Sequence, residues 1–313
     1  MITSFDQMLE EVKSRPRRSV AIAVAHDPIV IEAAAEASRR DIADPVLVGD
    51  AKRIEQIAKD LMISPNNIHI VDEPNELLAV KAAVEMTSSG KTDMVMKGYI
   101  HTDDFLRGVL DKEIGLRTGY LMSHVSILEA RGFDRFIFVT DGAMNIQPTL
   151  EEKAQIILNA VQLAEIFGID QPRVAVLAAI ELVNPKMPNT LDAAALGKMG
   201  DRGQFSAGIV DGPFALDDAV SMLAAKHKRI SGTVAGAADI LLVPNVEAGN
   251  ILGKAFVYFS QGRIAGVLMG AAAPVVLTSR ADTAEAKLLS IATGVFIADV
   301  QGRLGIKIGK VHY

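Results

Sequence analysis

Pro274-Val-Val-Leu-Thr-Ser279-Arg280-Ala-Asp282-Thr-Ala-Glu285-Ala-Lys287 reads as a strand, an abrupt turn and a helix. At such a junction the first N–H groups of the helix and the positive end of its dipole meet the Ser279 hydroxyl and the Arg280 guanidinium. That convergence is a physical recipe for holding an anion. The competing reading is structural: Ser279 caps the helix and Asp282 completes a capping box. Arg280 beside the cap is what speaks for an anion.

Outward from this junction the same rhythm recurs. Ser19-Val-Ala-Ile-Ala-Val-Ala25 precedes an Ala-rich helical pattern over 28–39, and Pro45-Val-Leu-Val48 precedes one over 51–61. Further strand runs fall at 68–71, 93–96, 136–139, 174–178, 209–210, 240–243, 264–269 and 275–277. They are apolar throughout instead of alternating, as expected of strands covered by helices on both faces. Their alternation with helical patterns predicts an α/β architecture with mainly parallel sheets. The clearest helix start is Thr149-Leu-Glu-Glu152, a capping box followed by Ile157, Val161 and Ala164 on one face, with Gly168 to stop it. The polar bridge Asp141-Gly-Ala-Met-Asn145-Ile-Gln-Pro148 ahead of that helix marks a domain boundary. Two domains are therefore expected, one of residues 1–140 plus about 286–313 and one of residues 141–285.

Composition narrows the function. There are 32 Lys+Arg against 38 Asp+Glu, a formal net charge of −6, so binding of nucleic acid cannot rest on overall charge. Half the residues are hydrophobic, aromatics are only 5% and Trp is absent, so the core must be Ala, Val, Ile and Leu. The absence of cysteine excludes disulfides, a thiolate nucleophile and thiolate-held metal clusters. Six histidines show no metal-ligand spacing, so no metal is expected. Met1-Ile-Thr-Ser-Phe-Asp-Gln lacks the order of a signal peptide, and the longest uncharged apolar stretch, between Arg263 and Arg280, contains Gly266, Gly270 and Pro274. It is shorter than the roughly 20 residues a membrane span needs. A soluble, cytoplasmic protein without a membrane partner is the expectation.

Two familiar patterns nearly occur and fail. Gly249-Asn-Ile-Leu-Gly253-Lys254-Ala255 lacks the spacing and the Ser or Thr of a P-loop, and Gln204-Phe-Ser206-Ala-Gly208 lacks the first glycine of a nucleophile elbow. Other candidates share a position just after a strand, where α/β proteins bind ligands. Met96-Lys97-Gly98-Tyr-Ile-His101-Thr102 leads to Arg107, which by itself also reads as a solvated surface residue. Arg117 lies between Gly115 and Gly119, which permit close backbone approach. Asp211-Gly212-Pro213 sets an aspartate at a strand end, where it would orient a ligand or cap the next helix. Pro244-Asn-Val-Glu247-Ala-Gly249-Asn250 carries polar groups over glycine, for a ligand or a turn.

Taken together, His101-Thr-Asp-Asp-Phe-Leu-Arg107, Asp141-Gly-Ala-Met-Asn145-Ile-Gln-Pro-Thr149, Asp211-Gly-Pro213, Val234-Ala-Gly236, Glu247-Ala-Gly-Asn250 with Lys254, and Ser279-Arg280 form an ordered set. The set resembles the phosphate acyltransferase family, the phosphate acetyl- and butyryltransferases, and more the butyryltransferase branch. The resemblance runs from about Lys97 nearly to the C-terminus. It implies two αβα domains with an interdomain active-site cleft, like isocitrate and isopropylmalate dehydrogenases. It also implies reversible transfer of a short acyl group, butyryl or similar, from acyl-CoA to inorganic phosphate. CoA is then substrate and product, no further cofactor is needed, and a homo-oligomer is expected. Ser279, Arg280 and Arg107 match the family's reacting centre. Asp211, Asn250, Lys254, Asn145 and Arg117 form the candidate substrate-binding set. One departure stands out: acetyltransferases carry paired aspartates six and seven residues beyond the serine, the second being the base, where this chain has Glu285 and Ala286. The base assignment therefore falls to Glu285, one residue off and on a different helical azimuth.

Three other readings stay open at this level: a phosphate acetyltransferase, an NAD-dependent decarboxylating dehydrogenase, and a non-catalytic module that senses CoA or acyl phosphate. The dehydrogenase would usually need aspartates for Mg²⁺, for which the sequence shows no clear cluster.

Overall fold

The computed structural model describes residues 1–64 and 69–304. In chain order its elements are α1 (Phe5–Lys13), β1 (Arg18–Ala23), α2 (Pro28–Arg39), β2 (Ala43–Gly49), α3 (Ala51–Asp60), β3 (His69–Asp72), α4 (Glu76–Ser88), β4 (Met94–Lys97) and α5 (Thr102–Val109). There follow β5 (Ser123–Glu129), β6 (Ile137–Thr140), α6 (Leu150–Ile166), β7 (Arg173–Leu177), α7 (Pro188–Asp201), β8 (Ile209–Phe214), α8 (Leu216–Val220), α9 (Met222–Lys228) and β9 (Ile240–Leu242). The last are α10 (Val246–Ser260), β10 (Arg263–Met269), β11 (Val275–Val276) and α11 (Ala284–Leu304). The α/β rhythm is the one expected. Ile68, the first residue of one expected strand, and the chain beyond residue 304 lie outside the described residues.

The chain divides into two compact units, one of Phe5–Tyr120 with the described residues from Ile264 on, the other of Leu121–Arg263 with Met1–Ser4. The junctions therefore fall at 120/121 and 263/264, not at 140/141 and 285/286. The cause is strand pairing. β5, absent from the sequence reading, pairs antiparallel with β6 through Val125↔Thr140, which draws 121–140 into the unit of α6 and β7. β11 pairs parallel with β4 through Val275↔Val95 and Val276↔Met96, which returns the turn after it to the unit of Arg107.

The unit that holds both strands of this second pairing has strand order β3-β2-β1-β4-β11-β10, parallel except for β10 against β11. Its helices start where the sequence supplies caps. Asp27 accepts the Val30 N–H at 3.0 Å ahead of Pro28, and Asn75 accepts from Leu77 and Leu78. α11 buries Leu288, Leu289, Ile291, Ala292, Val295, Phe296 and Ile297 against α1, α2 and the β4–β11 face. Its one deeply buried carboxylate, Asp299, accepts from the Arg15 guanidinium at 2.7 Å, and that guanidinium lies 4.2 Å over the Phe296 ring.

In the second unit the order is β5-β6-β9-β7-β8, with only β5 antiparallel. α6 carries the full capping box, Thr149 to Glu152, and ends at Phe167 before Gly168 at φ +86. Phe136, Phe138 and Phe167 meet edge to face, with centroids 5.6 to 6.4 Å apart. Asp239, at the foot of β9, accepts from the Arg173 Nε (2.9 Å), terminal nitrogen (2.8 Å) and backbone N–H (2.9 Å), and Arg135 lies 3.4 Å away. The Asp239 side chain is 3% exposed, so removing its charge strands two guanidinium groups. Asp239→Asn is expected to cost about 3 kcal/mol in urea unfolding.

Candidate active site

Strand register creates the site. With Val276 opposite Met96, the carboxyl ends of β11 and β4 abut, so the Thr278-Ser279-Arg280 turn emerges beside Lys97 and the Gly98–Ile100 turn. Gly98 is needed there, because a Cβ at this position would run into the carbonyl oxygens of Ala23 and Val24 at the end of β1. Its own N–H donates to Ala23 O at 2.9 Å, and Tyr99 N–H to Val24 O at 2.9 Å.

Two ammonium groups underlie these turns. Lys97 and Lys287 are each 1% exposed. Lys97 Nζ donates to Ile100 O (2.9 Å) and Gly98 O (3.3 Å). Lys287 Nζ donates to Ser279 O (2.8 Å) and Thr278 Oγ1 (3.3 Å). Burial pushes the Lys97 ammonium down to about 8; Lys287 and Arg280 push it the same way and Asp282 opposes. Burial also lowers the Lys287 pKa, against the pull of Asp282 and Asp27. Sequence reasoning assigns neither lysine a role. A signal is nonetheless present: Lys97 closes a four-residue strand whose other members are all apolar.

The turn itself corrects the capping alternative. Ser279 N–H donates to Asp282 Oδ2 at 2.7 Å and Asp282 N–H to Ser279 O at 3.2 Å, closing a tight loop. The helix cap is Thr283, whose Oγ1 accepts from Ala286 N–H at 3.1 Å. Ser279 thus lies ahead of the cap and does not serve it. Its Oγ accepts a long bond from Ala281 N–H, 3.4 Å, which leaves the hydroxyl proton to be donated elsewhere.

Arg280 is exposed and reaches His101, the residue before α5. Its two terminal nitrogens lie 3.3 Å from Nε2 and 3.3 Å from Nδ1 of that ring. A neutral imidazole has one acceptor nitrogen, so one of the two contacts is a hydrogen bond from the guanidinium and the other is close approach alone. The Tyr99 ring centroid is 5.9 Å from the guanidinium carbon. His101 makes no side-chain cap of its own helix, which frees it for this contact. It too was missed as a site residue.

The other expected residues divide. Arg107 sits in the last turn of α5 and its guanidinium folds back toward the helix start, held by Asp104 at 2.7 Å. Its side chain is 76% exposed. Glu285 is exposed in the first turn of α11. Arg117 is exposed on a loop tied to the β10–β11 connection, at the amino end of β11: Leu116 O accepts from Ala272 N–H (2.9 Å) and Thr118 Oγ1 donates to Gly270 O (2.7 Å). The structure does not bring Arg117 to the Ser279 turn.

In the second unit Asp141, 3% exposed, organises a loop. Oδ1 accepts from the N–H of Ala143 (2.8 Å) and Met144 (3.0 Å), and Oδ2 from His124 N–H (3.1 Å) and Asn145 Nδ2 (2.6 Å). Asn145 Nδ2 also donates to Met122 O at 2.9 Å, so both amide hydrogens of this expected substrate ligand are engaged internally. Gly142 and Gly249 touch backbone to backbone, and Asn250 Nδ2 donates to Gly142 O at 3.3 Å. The loop of Asn145 therefore meets Asn250 in the first half of α10, and exposed Lys254 follows one turn further along that helix. Asp211 does not join them. It lies inside β8, paired with Ala175, and β8 is the far edge of the sheet. It is neither strand end nor helix cap, because the strand continues through Gly212 and Pro213 to Phe214, as an edge strand with a register shift permits. Burial raises its pKa above the usual carboxylate range, with Asp201 adding to the rise and the Gly212 N–H opposing it.

Among the described residues no helix is long and apolar enough to cross a membrane, and no group of three or more His, Asp or Glu could hold a metal ion. An α/β protein with converging cations at the carboxyl ends of adjacent parallel strands is an anion-handling protein. Comparison with known proteins narrows that class. The family model described as phosphate acetyl/butaryl transferase matches residues 4–79 and 73–295. The chain is 51% identical over 298 residues to a phosphate butyryltransferase of Clostridium acetobutylicum, covering 95% of this chain and 99% of that one. It is 46% identical over 294 residues to a phosphate acetyltransferase of Thermotoga maritima, covering 94% and 100%. The solved structure of a branched-chain phosphotransacylase from Enterococcus faecalis superposes with a TM-score of 0.79 at 30% identity, covering 90% of this chain and 99% of that one. The chain belongs to the phosphate acetyl/butyryl transferase family and is an acyltransferase.

Because Gly98 sets the height of the turn that Lys97 holds, Gly98→Ala is expected to cost about 2 kcal/mol in thermal or urea unfolding. Phosphate-dependent activity at permissive temperature should fall with it.

Proposed function

We propose that the protein reversibly transfers a short acyl group, butyryl or a similar chain, from acyl-CoA to inorganic phosphate. The observation that carries this reading is the charge balance at the β4–β11 turn: Lys97, Lys287 and Arg280 converge, with Asp282 as the carboxylate coupled to both lysines. Buried excess positive charge is costly unless an anion completes it. Phosphate near neutral pH carries about −1.5 to −2 charge, which suits that excess.

In the proposed reaction Arg280, aligned by the His101 ring, and Arg107, swung from Asp104, grip phosphate oxygens and aim one at the thioester carbon. The C–O bond forms as the C–S bond breaks, through a tetrahedral centre whose oxyanion needs fixed donors. Ser279 Oγ donates to the departing sulfur. Glu285 relays the proton carried by hydrogen phosphate to that sulfur, and in reverse takes it from the thiol and returns it to phosphate. Asp282 is the poorer candidate for this step because Ser279 N–H already engages it. No electron changes hands, so CoA as substrate and product suffices without a resident cofactor.

Asn145, Asn250, Lys254, Asp211 and Arg117 stay proposed substrate contacts. For the first two the support is the contact of their loop and helix at Gly142, for Lys254 its place one turn after Asn250, and for the last two the family resemblance alone. The dehydrogenase-like cleft arrangement, a homo-oligomeric state and a cytoplasmic setting belong to the same proposal and rest on the same resemblance.

Thiol release from acetyl-, propionyl-, butyryl- and isobutyryl-CoA, with and without phosphate, tests the reading. The protein contains no cysteine, so it adds no thiol background. Release must depend on phosphate and should be fastest with a four-carbon chain; release without phosphate, or none with any acyl-CoA, would sink the proposal. Ser279→Ala should lower kcat about 10²- to 10³-fold with an unchanged circular dichroism spectrum. Arg107→Lys should raise the KM for phosphate, since an ammonium cannot reproduce a bidentate contact.

A further inference from the structure

The reaction as proposed uses Arg280 and Ser279 at the reacting atoms and draws on the two buried lysines beneath them for their charge alone. They are not ordinary structural cations. Each is sealed from solvent, each donates to backbone carbonyls rather than to a carboxylate, and together they fix both turns of the site: Lys97 through Ile100 O and Gly98 O, Lys287 through Ser279 O. An ammonium has three donors. With two of the Lys97 hydrogens directed at carbonyls, a neutral amine at this place keeps both bonds, and only the third proton is dispensable.

The charged groups that face Lys97 are Lys287 from α11 and Arg280 and Asp282 from the intervening turn. Asp27, ahead of α2, acts on Lys287, and His101, ahead of α5, lies against Arg280. Two cations and one carboxylate therefore face Lys97. The arrangement favours shedding a proton while the site holds no anion, and retaining it once a dianion is seated above.

We propose that Lys97 couples phosphate binding to uptake of a proton: its buried ammonium is the positioning charge that becomes complete only when a dianion occupies the Ser279–Arg280 turn. The inference rests on the acyl-transfer reading and names the regulation of that same site. Its sign follows directly. Burial holds the Lys97 pKa near 8 without ligand, whereas a bound dianion draws it back toward the ordinary lysine value. Phosphate affinity should therefore be highest below that pH and fall above it, by up to about tenfold per pH unit. The dianion itself has finished titrating in that range, so its own ionisation does not produce the fall.

Calorimetry of inorganic phosphate binding, in two buffers of different ionisation heat at pH 8.5, reads the uptake directly. Given a pKa of about 8, wild type should take up about 0.7 of a proton per phosphate. Lys97→Met should abolish that uptake, flatten the pH profile of the phosphate KM above pH 8, and raise that KM about 10- to 100-fold at pH 7. Lys287→Met removes a cation that pushes the Lys97 pKa down, so it should weaken phosphate and reduce the uptake at pH 8.5 without abolishing it, and an undiminished uptake in that variant counts against the inference if Lys97→Met fails to fold. Uptake that persists in Lys97→Met, or wild-type affinity that stays flat from pH 8 to 9.5, overturns the inference. An active wild type with no uptake overturns it alone, whereas absence of both phosphate binding and thiol release overturns the acyl-transfer reading as well.

Discussion

The pairing of two-residue β11 with β4 is the constraint on which the rest depends. Without it the Ser279–Arg280 turn has no reason to lie beside Lys97, and α11 has no reason to deliver Lys287 beneath the same turn. A parallel pair so short contributes little by itself. It is secured by its surroundings: Val275 and Val276 are fully buried, and Val95 N–H donates to Pro274 O at 3.2 Å. A buried helix closes over the pair, and its own Asp299 is neutralised by Arg15. Apolar packing here does electrostatic work, by holding cations near one another where water cannot screen them.

That cost is concentrated, not spread. The second unit handles its buried charges conventionally: Asp239 has its guanidinium partners, Asp141 has four N–H donors and an amide, and Lys153 has Asp192 at 2.6 Å. At the β4–β11 turn the balance is left positive. Natural proteins accept such imbalance at functional sites, where a ligand completes it.

Much of this was legible in the sequence. Apolar strand runs, the Thr149–Glu152 capping box and the polar, glycine-bearing turns gave the α/β order, because helix caps and buried strands leave local signatures. Ordered motifs gave the family, and with it the importance of Ser279 and Arg280. What failed to show was whatever depends on which strands pair. The hairpin of β5 with β6 moved the junction between units, and the return of β11 to β4 moved Ser279 into the unit of Arg107. Asp211 looked like a strand end because Gly-Pro normally stops a strand; at an edge it does not. Lys97 and Lys287 were passed over since a lone lysine next to apolar residues most often leads its ammonium to solvent, and only the packing of α11 and β1 shows that these two cannot.

The most direct test of the central claim is a crystal structure grown with inorganic phosphate and without sulfate. The account predicts a phosphate seated at the Ser279 turn, with oxygens within hydrogen-bond reach, about 3 Å, of the Arg280 guanidinium. A well-ordered phosphate bound elsewhere, with Arg280 still held against His101 and touching no anion, would contradict it.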